Sequence, residues 1–132
     1  MVGADWFVVE LADGKRVRGR QFLQEHVQSG IYPYRVELFW NKSDDTNYDE
    51  DMTAKIEEQL RAGMERDRMA FLISVTEDDS QYIFTWYVQN EEEFGERLNK
   101  ILAFFPPLPI SVFSTEDIEW TAYKEIEKMI EN

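Results

Sequence analysis

The sequence predicts an α+β fold, and three observations carry that prediction. The first is a pair of alternating stretches: Phe71, Ile73 and Val75, then Tyr82, Phe84, Trp86 and Val88, fall on every second position, the period of a pleated strand. Between them Glu77-Asp78-Asp79-Ser80 supplies side chains that hydrogen-bond their own backbone, as a hairpin turn requires. The second is a pair of segments whose apolar residues recur every three to four positions, the helical period: Met52, Ile56, Leu60 and Met64, and later Phe94, Leu98, Ile101, Leu102 and Phe105. The third is their order. From Tyr34 onward it reads β-α-β-β-α-β, the split arrangement of ferredoxin-like domains, with a β-hairpin before it and a helix after it.

At 132 residues, with 43% hydrophobic and 14% aromatic residues, the chain is one domain long and too apolar to stay disordered. A single domain over 1–132 is expected, divided into an N-terminal hairpin and connector (1–33), the ferredoxin-like core (34–114) and a terminal helix (115–132). Trp6 to Leu11 forms the first strand, and Asp13-Gly14, both able to take positive φ, turns it into a return strand from Lys15 to Arg20. Arg16, Arg18 and Arg20 project on one side of that strand. As an outer strand it would use these charges to deter edge pairing and to meet nearby carboxylates. The alternative is that Arg16, Arg18 and Arg20 bind an anionic ligand. Gln21 to Ser29 is a connector with one or two helical turns, ended by Gly30 and Pro33.

Tyr34, Val36, Leu38 and Trp40 place the next strand's apolar face, with Arg35, Glu37, Phe39 and Asn41 opposite. Asn47 and Glu50 have the spacing of a capping box for a helix running to about Arg68, with Glu57, Glu58, Arg61 and Glu65 facing water. Asn90 and Glu93 repeat the cap for the second helix, and Pro106-Pro107 ends it. Pro109 to Phe113 reads as the last strand. Thr115 to Asp117 caps a terminal helix from Ile118 to about Glu131, with Trp120, Tyr123, Ile126 or Glu127, and Ile130 on its docking side. The aromatics, including all four Trp, are expected in the core rather than on a stacking platform. Phe39, Ile83 and Tyr87 lie on the sheet face away from the two core helices. They need cover from the hairpin, the terminal helix or a second copy of the chain, which makes a homodimer one solution.

Twenty-seven acidic against 14 basic residues give a net charge of −13 and a pI near 4.4, so the average field repels phosphate backbones and anionic lipid. Nucleic acid and membrane are thereby disfavoured as partners; the acidity is expected first to serve solubility, with a basic partner protein as the alternative. With no cysteine there is no thiolate nucleophile and no sulfur metal site. The apolar run Ile101–Phe113 is broken by prolines, and the first residues lack a signal's pattern, so the expected compartment is the cytoplasm. No phosphate loop, dinucleotide turn, nucleophile elbow or zinc helix occurs, and His26, the one histidine, sits in the connector. Asp45-x-Asn47-x-Asp49 opens like a calcium loop, but Glu50 and Ile56 stand where glycine and a bidentate glutamate are required. No cofactor or metal is expected, with weak divalent binding at 44–51 left open.

Further patterns are shared with a known group of proteins. Asp13-Gly14 follows a Trp-led strand; then come Tyr32-Pro33-Tyr34-Arg35-Val36-Glu37, Leu108-Pro109-Ile110-Ser111-Val112 and Glu116-Asp117-Ile118-Glu119-Trp120-Thr121-Ala122-Tyr123. Together they resemble the bacterial family catalogued as domain of unknown function 695, and the spacing of Asp117, Trp120 and Tyr123 is the most telling part. Where members often carry Gly-x-Pro after the third strand, this chain has Asp45-Thr46-Asn47-Tyr48. The resemblance implies no reaction, and Asp117, Trp120 and Tyr123 are expected to serve as cap and docking face. In acidity and expected topology the chain is also similar to the regulator of ribonuclease activity B, an inhibitor protein. The expected function is a noncatalytic protein-binding or regulatory module. The alternative is an anionic-ligand binding protein or hydrolase near Arg16–Arg20.

Overall fold

A computed structural model describes residues 6–42 and 50–131. Its elements are β1 (Trp6–Glu10), β2 (Arg16–Arg20), α1 (Gln24–Ser29), β3 (Tyr34–Asn41), α2 (Glu50–Glu65), β4 (Ala70–Glu77), β5 (Gln81–Val88), α3 (Glu91–Leu102), β6 (Ile110–Glu116) and α4 (Thr121–Glu131). The strands form one antiparallel sheet in the order β1-β2-β4-β5-β3-β6. The fold is mixed, with four helices on six strands.

Both faces of the sheet are used. On one, Ile56, Leu60 and Met64 of α2 and Phe94 and Leu98 of α3 pack on Val36, Leu38, Trp40, Phe84 and Trp86. On the other, Trp120, Tyr123 and Ile126 join Leu23 and Tyr32 over Val17, Phe71, Ile73 and Tyr87. The terminal helix is therefore what covers Tyr87. Beyond its reach Phe39 is half-buried against Phe113, at 5.3 Å and nearly perpendicular, and Phe113 stays 58% exposed.

Several expectations need correction. The alternation of Phe71, Ile73 and Val75 does not survive intact, because β4 carries a bulge between Leu72 and Ser74. The extra residue reverses the facing of the rest of the strand, so Phe71 and Ile73 join the α4 side while Val75 joins the α2–α3 side. The last strand runs to Glu116, and the terminal helix begins at Thr121 rather than Ile118. Strand pairing extends further because Asp117 N–H donates to the Pro33 carbonyl (2.7 Å), and the chain then turns over Ile118 and Glu119, closed by Trp120 N–H on the Asp117 carbonyl (3.0 Å), with Trp120 at φ 56°. Helix α2 ends at Glu65, since Arg68 takes φ 61°. The Asn47–Glu50 cap and the 44–51 loop fall largely outside the described residues. At α3 the Asn90 side chain accepts from Glu93 N–H (3.0 Å), whereas the Glu93 carboxylate binds Arg97 (2.8 Å) instead of closing a capping box. Trp40, Trp86 and Trp120 are core residues, but Trp6 is half-buried among arginines.

Candidate functional site

The arginine row lies on the face that carries α2, because Arg16, Arg18 and Arg20 alternate with Val17 and Gly19, which point toward α4. Strand β2 is not an outer strand: β1 flanks it on one side and β4 on the other. That placement brings the row against the flank of α2. Arg18 makes a bidentate ion pair with Glu57, and Arg20 binds both oxygens of Glu65 at 3.0 Å with side chains 13% and 14% exposed. Arg61 reaches Glu65 at 3.6 Å, and the Trp6 ring lies within 5.7 Å of the guanidinium groups of Arg18, Arg20 and Arg61. Glu57 and Glu65 thus do not face water, as their helical positions had suggested. Glu65 also accepts the backbone N–H of Leu72 at 2.9 Å, which ties the seam to the sheet.

Arg16 differs from its neighbours. It is exposed and makes no ion pair among the described residues, and it lies where a groove of about 400 Å³ opens between β2 and the start of α2. Thr53, Glu57, Glu77 and Tyr82 also line that groove. Lys42 holds Glu77 at 2.9 Å and lies 4.4 Å from the Tyr82 ring centroid. The Glu77 carboxyl is shifted below its ordinary value: burial works against ionisation, but the hydrogen bonds from Lys42 and Tyr82 and the charges of Lys42 and Arg16 outweigh it.

Asp117, Trp120 and Tyr123 sit on the opposite face, at the entry to α4. Asp117 accepts from Arg35 (2.9 Å), the Tyr87 hydroxyl (2.7 Å), and both the N–H and the hydroxyl of Thr121 (3.0 Å each). Burial pushes its carboxyl up, but the Thr121 and Tyr87 hydrogen bonds and the Arg35 charge bring it below the usual carboxylate range. Tyr87 moves the other way, raised by burial and by the carboxylate it donates to. Trp120 donates its indole N–H to the Tyr32 carbonyl (3.0 Å), and the Tyr123 hydroxyl accepts from Leu23 N–H (3.2 Å). Burial pushes the Tyr123 phenol up to about 12. The hydrogen bonds of Asp117, Trp120 and Tyr123 hold α4 and the Tyr32 connector to the sheet.

The two groups of residues singled out in the sequence are therefore separated by the sheet and form no common site. A third feature went unnoticed. Ile101, Phe104 and Phe105, at the end of α3, border a groove of about 520 Å³ against Lys55, Glu58 and Gln59 of α2. Phe104 is 89% exposed, and Lys55 and Lys100 make this groove less acidic than the chain as a whole. The seam partners were legible in principle: Glu57, Arg61 and Glu65, four apart, form a stripe beside Ile56, Leu60 and Met64.

The model of a family of unknown function (DUF695) matches residues 17–126, which takes in Arg18, Arg20 and the whole Asp117–Tyr123 segment. The chain belongs to that family. In this DUF695 protein the match begins one residue after Arg16, so the ion-paired Arg18 and Arg20 lie inside the matched span and Arg16 outside it. Among solved structures, the chain is similar to one titled as a conserved hypothetical protein, Aq1575, from Aquifex aeolicus, at 14% identity and a TM-score of 0.35. That likeness covers 99% of this chain and 60% of the other, so the DUF695 chain spans about three fifths of its neighbour's length. A likeness of that size supports no statement about fold or function. No curated protein matches the chain. Among the described residues no helix is long and apolar enough to cross a membrane.

Proposed function

We propose that this DUF695 protein is a noncatalytic binding or regulatory module of the cytoplasm whose partner is a basic protein. The observation that carries the reading is the neutralisation of the arginine row. Arg18 and Arg20 are engaged by Glu57 and Glu65, so the sequence's one basic strand offers a ligand little beyond Arg16, against a net charge of −13. A surface of that sign attracts a cationic protein and repels nucleic acid. Within the fold, β3 to β6 with α2 and α3 are read as a ferredoxin-like unit, which the spatial order β4-β5-β3-β6 supports, with β1 and β2 added beside β4 and α4 behind. Affinity capture from cytoplasm at low ionic strength tests the proposal. A basic protein released by added salt is the expected result, and recovery of nothing at low salt overturns it.

A second reading has one observation in its favour: Arg16, exposed and without an ion pair among the described residues, lies at the mouth of the 400 Å³ groove. In it the protein binds a small anion through Arg16 rather than through the whole row. Hydrolysis is the less favoured form of this reading, because Arg18 and Lys42 already hold the groove's carboxylates, Glu57 and Glu77. A thermal-shift screen of anionic metabolites should show stabilisation that Arg16→Ala abolishes, and identical shifts in both proteins would exclude it.

A further inference from the structure

Strand β6 closes the sheet beside β3, and its residues after Ile110 are exposed. An edge strand carries a row of unpaired N–H and C=O groups, which proteins usually blunt with lysine, proline or an inward charge. From Ile110 to Thr115 this strand reads Ile-Ser-Val-Phe-Ser-Thr and does none of these. The charge at the edge is acidic and gathered at one end. Glu116 closes the strand, and the Ser114 hydroxyl donates to the carboxylate of Glu91, which ties the first turn of α3, with Glu91 and Glu92, to β6. Among the described residues Glu91, Glu92 and Glu116 make no ion pair, whereas Glu93, the next acid of that turn, is held by Arg97.

The backbone phase of the edge follows from its two ends. Asn41 N–H donates to the Pro109 carbonyl and Asp117 N–H to the Pro33 carbonyl, so the hydrogen-bonded pairs between β3 and β6 fall on odd residues of β6. Ser111, Phe113 and Thr115 thus turn their backbone groups to β3, and Val112, Ser114 and Glu116 turn theirs outward. Ile110 N–H is taken by the Leu108 carbonyl. Ile110 packs on the α2–α3 core, so Val112, Ser114 and Glu116 share its face, while Phe113 lies on the other, edge-on to Phe39 at 5.3 Å. Val112 and Phe113 are 50% and 58% exposed.

Given a basic protein as the partner, as proposed above, we infer that β6 is where it docks: an extended segment of that protein adds to the edge as a further strand, antiparallel like every other pair in the sheet. Its residues opposite Val112, Ser114 and Glu116 exchange backbone hydrogen bonds with them and lay their side chains on the α3 face. Cationic side chains opposite Glu116 and Ser114 meet the carboxylates of Glu116 and Glu91, and an apolar one rests on Val112. The residue opposite Phe113 forms a pair without ladder hydrogen bonds, where side chains approach most closely, and an aromatic ring there extends the Phe39–Phe113 row. From its N-terminus the segment reads basic, any, basic, aromatic, apolar.

Charge complementarity selects this occupant. A second copy of the chain would bring a net charge of −13, with its own Glu91, Glu92 and Glu116, against the same strip. A neutral strand would pair with the backbone and leave three carboxylates unanswered.

The probe is the capped peptide Lys-Thr-Arg-Phe-Val, with Glu-Thr-Glu-Phe-Val as its charge-inverted control, each titrated to millimolar concentration into isotope-labelled protein while backbone amide exchange is followed. Saturable binding of the basic peptide is expected, with slowed exchange confined in β6 to Val112, Ser114 and Glu116, and with an affinity that falls as salt is added. Glu91→Gln should weaken it by about twofold to fivefold, the size of an exposed ion pair. Val112→Pro removes an outward donor without touching the pairing to β3, and should weaken it by about tenfold. Circular dichroism shows whether each variant is folded. No saturable binding overturns the inference, as does binding that leaves the edge amides in free exchange, binding of the control as tight as that of the basic peptide, or an undiminished affinity in both folded variants. Edge amides protected in the protein alone, with a mass that doubles on concentration, overturn it in favour of a second copy. Capture from cytoplasm by the Val112→Pro protein separates the two proposals. A basic protein held as firmly by this variant as by the unaltered chain overturns the edge assignment and leaves the proposed function standing; edge protection by the peptide with no protein captured by either upholds the edge and overturns that function.

Discussion

The indole of Trp120 lies flat on the phenol ring of Tyr87, with centroids 4.2 Å apart and planes within 6° of parallel. One ring belongs to the entry of α4 and the other to the middle of the sheet, so this stack fixes where the helix lands. Trp120→Ala should cost about 4 kcal/mol, the usual loss for a fully buried large aromatic. Trp120→Phe keeps a ring but loses the bond to the Tyr32 carbonyl, and should cost about 1–2 kcal/mol. Urea denaturation of the two variants separates stacking from hydrogen bonding.

Asp117→Asn should destabilise by about 1–3 kcal/mol, because an amide cannot accept all four hydrogen bonds that the carboxylate takes from Arg35, Tyr87 and Thr121, while part-buried Arg35 keeps only Glu37 as its countercharge among the described residues. The pH dependence has a definite sign. Asp117 is held below its unfolded value, so its contribution is complete above about pH 4 and is lost as pH falls through the folded value. In the asparagine variant, denaturant titrations at descending pH should lose that acid-side slope.

His26 packs on the Phe71 ring at 4.2 Å, and burial, aided by Arg68 and Arg20 against Glu25, holds its imidazole below the ordinary value. The unfolded chain then binds the proton more readily than the folded one. Stability should be full above about pH 6.5 and decline as pH falls toward the folded value. His26→Gln should flatten stability between neutral and mildly acidic pH.

A Cβ at residue 19 would stand 2.3 Å from Phe7 Cζ and 2.6 Å from Ile126 Cγ2. The absent side chain is what lets β1 and α4 close over β2. Gly19→Ala should therefore destabilise by about 1–3 kcal/mol, seen as a lower Tm. An unchanged Tm would show that Phe7 swings aside without loss.

The Arg20–Glu65 pair should show a coupling of about 1–3 kcal/mol in a double-mutant cycle of Arg20→Met and Glu65→Gln, since both side chains are largely buried. Arg18 and Glu57, with the arginine 38% exposed, should couple more weakly. Urea titrations of the four proteins in each cycle measure both values.

How far the sequence could be read depended on whether a signal was local. Alternation in Tyr34–Trp40 and Tyr82–Val88, the four-residue spacing of α2 and the Asn90 cap are properties of neighbouring residues, and each element stands where they put it. The bulge after Leu72 was hidden because Phe71, Ile73 and Val75 alternate as well in a regular strand as across an inserted residue; only the register against β5 distinguishes them. The end of β6 was hidden because Asp117 suits a helix cap, while its N–H is claimed by Pro33 from far away in the chain. The arginine row was visible, but what it faces was not. Strand order decides that β2 lies between β1 and β4, beside the flank of α2, and no local pattern encodes strand order.

Trp86 and Tyr87 are joined by a single peptide bond, are both wholly shielded from solvent, and project into interiors on opposite sides of β5. The middle strands are consequently a party wall with no weather side. Shearing off either helical layer would wet Tyr87 and Ile73 or Trp86 and Phe84, and the layer left behind would be holding half a building. Loss of order in this protein should therefore be a single event, with the residues after Glu116 as much a condition of the sheet's survival as those that build it.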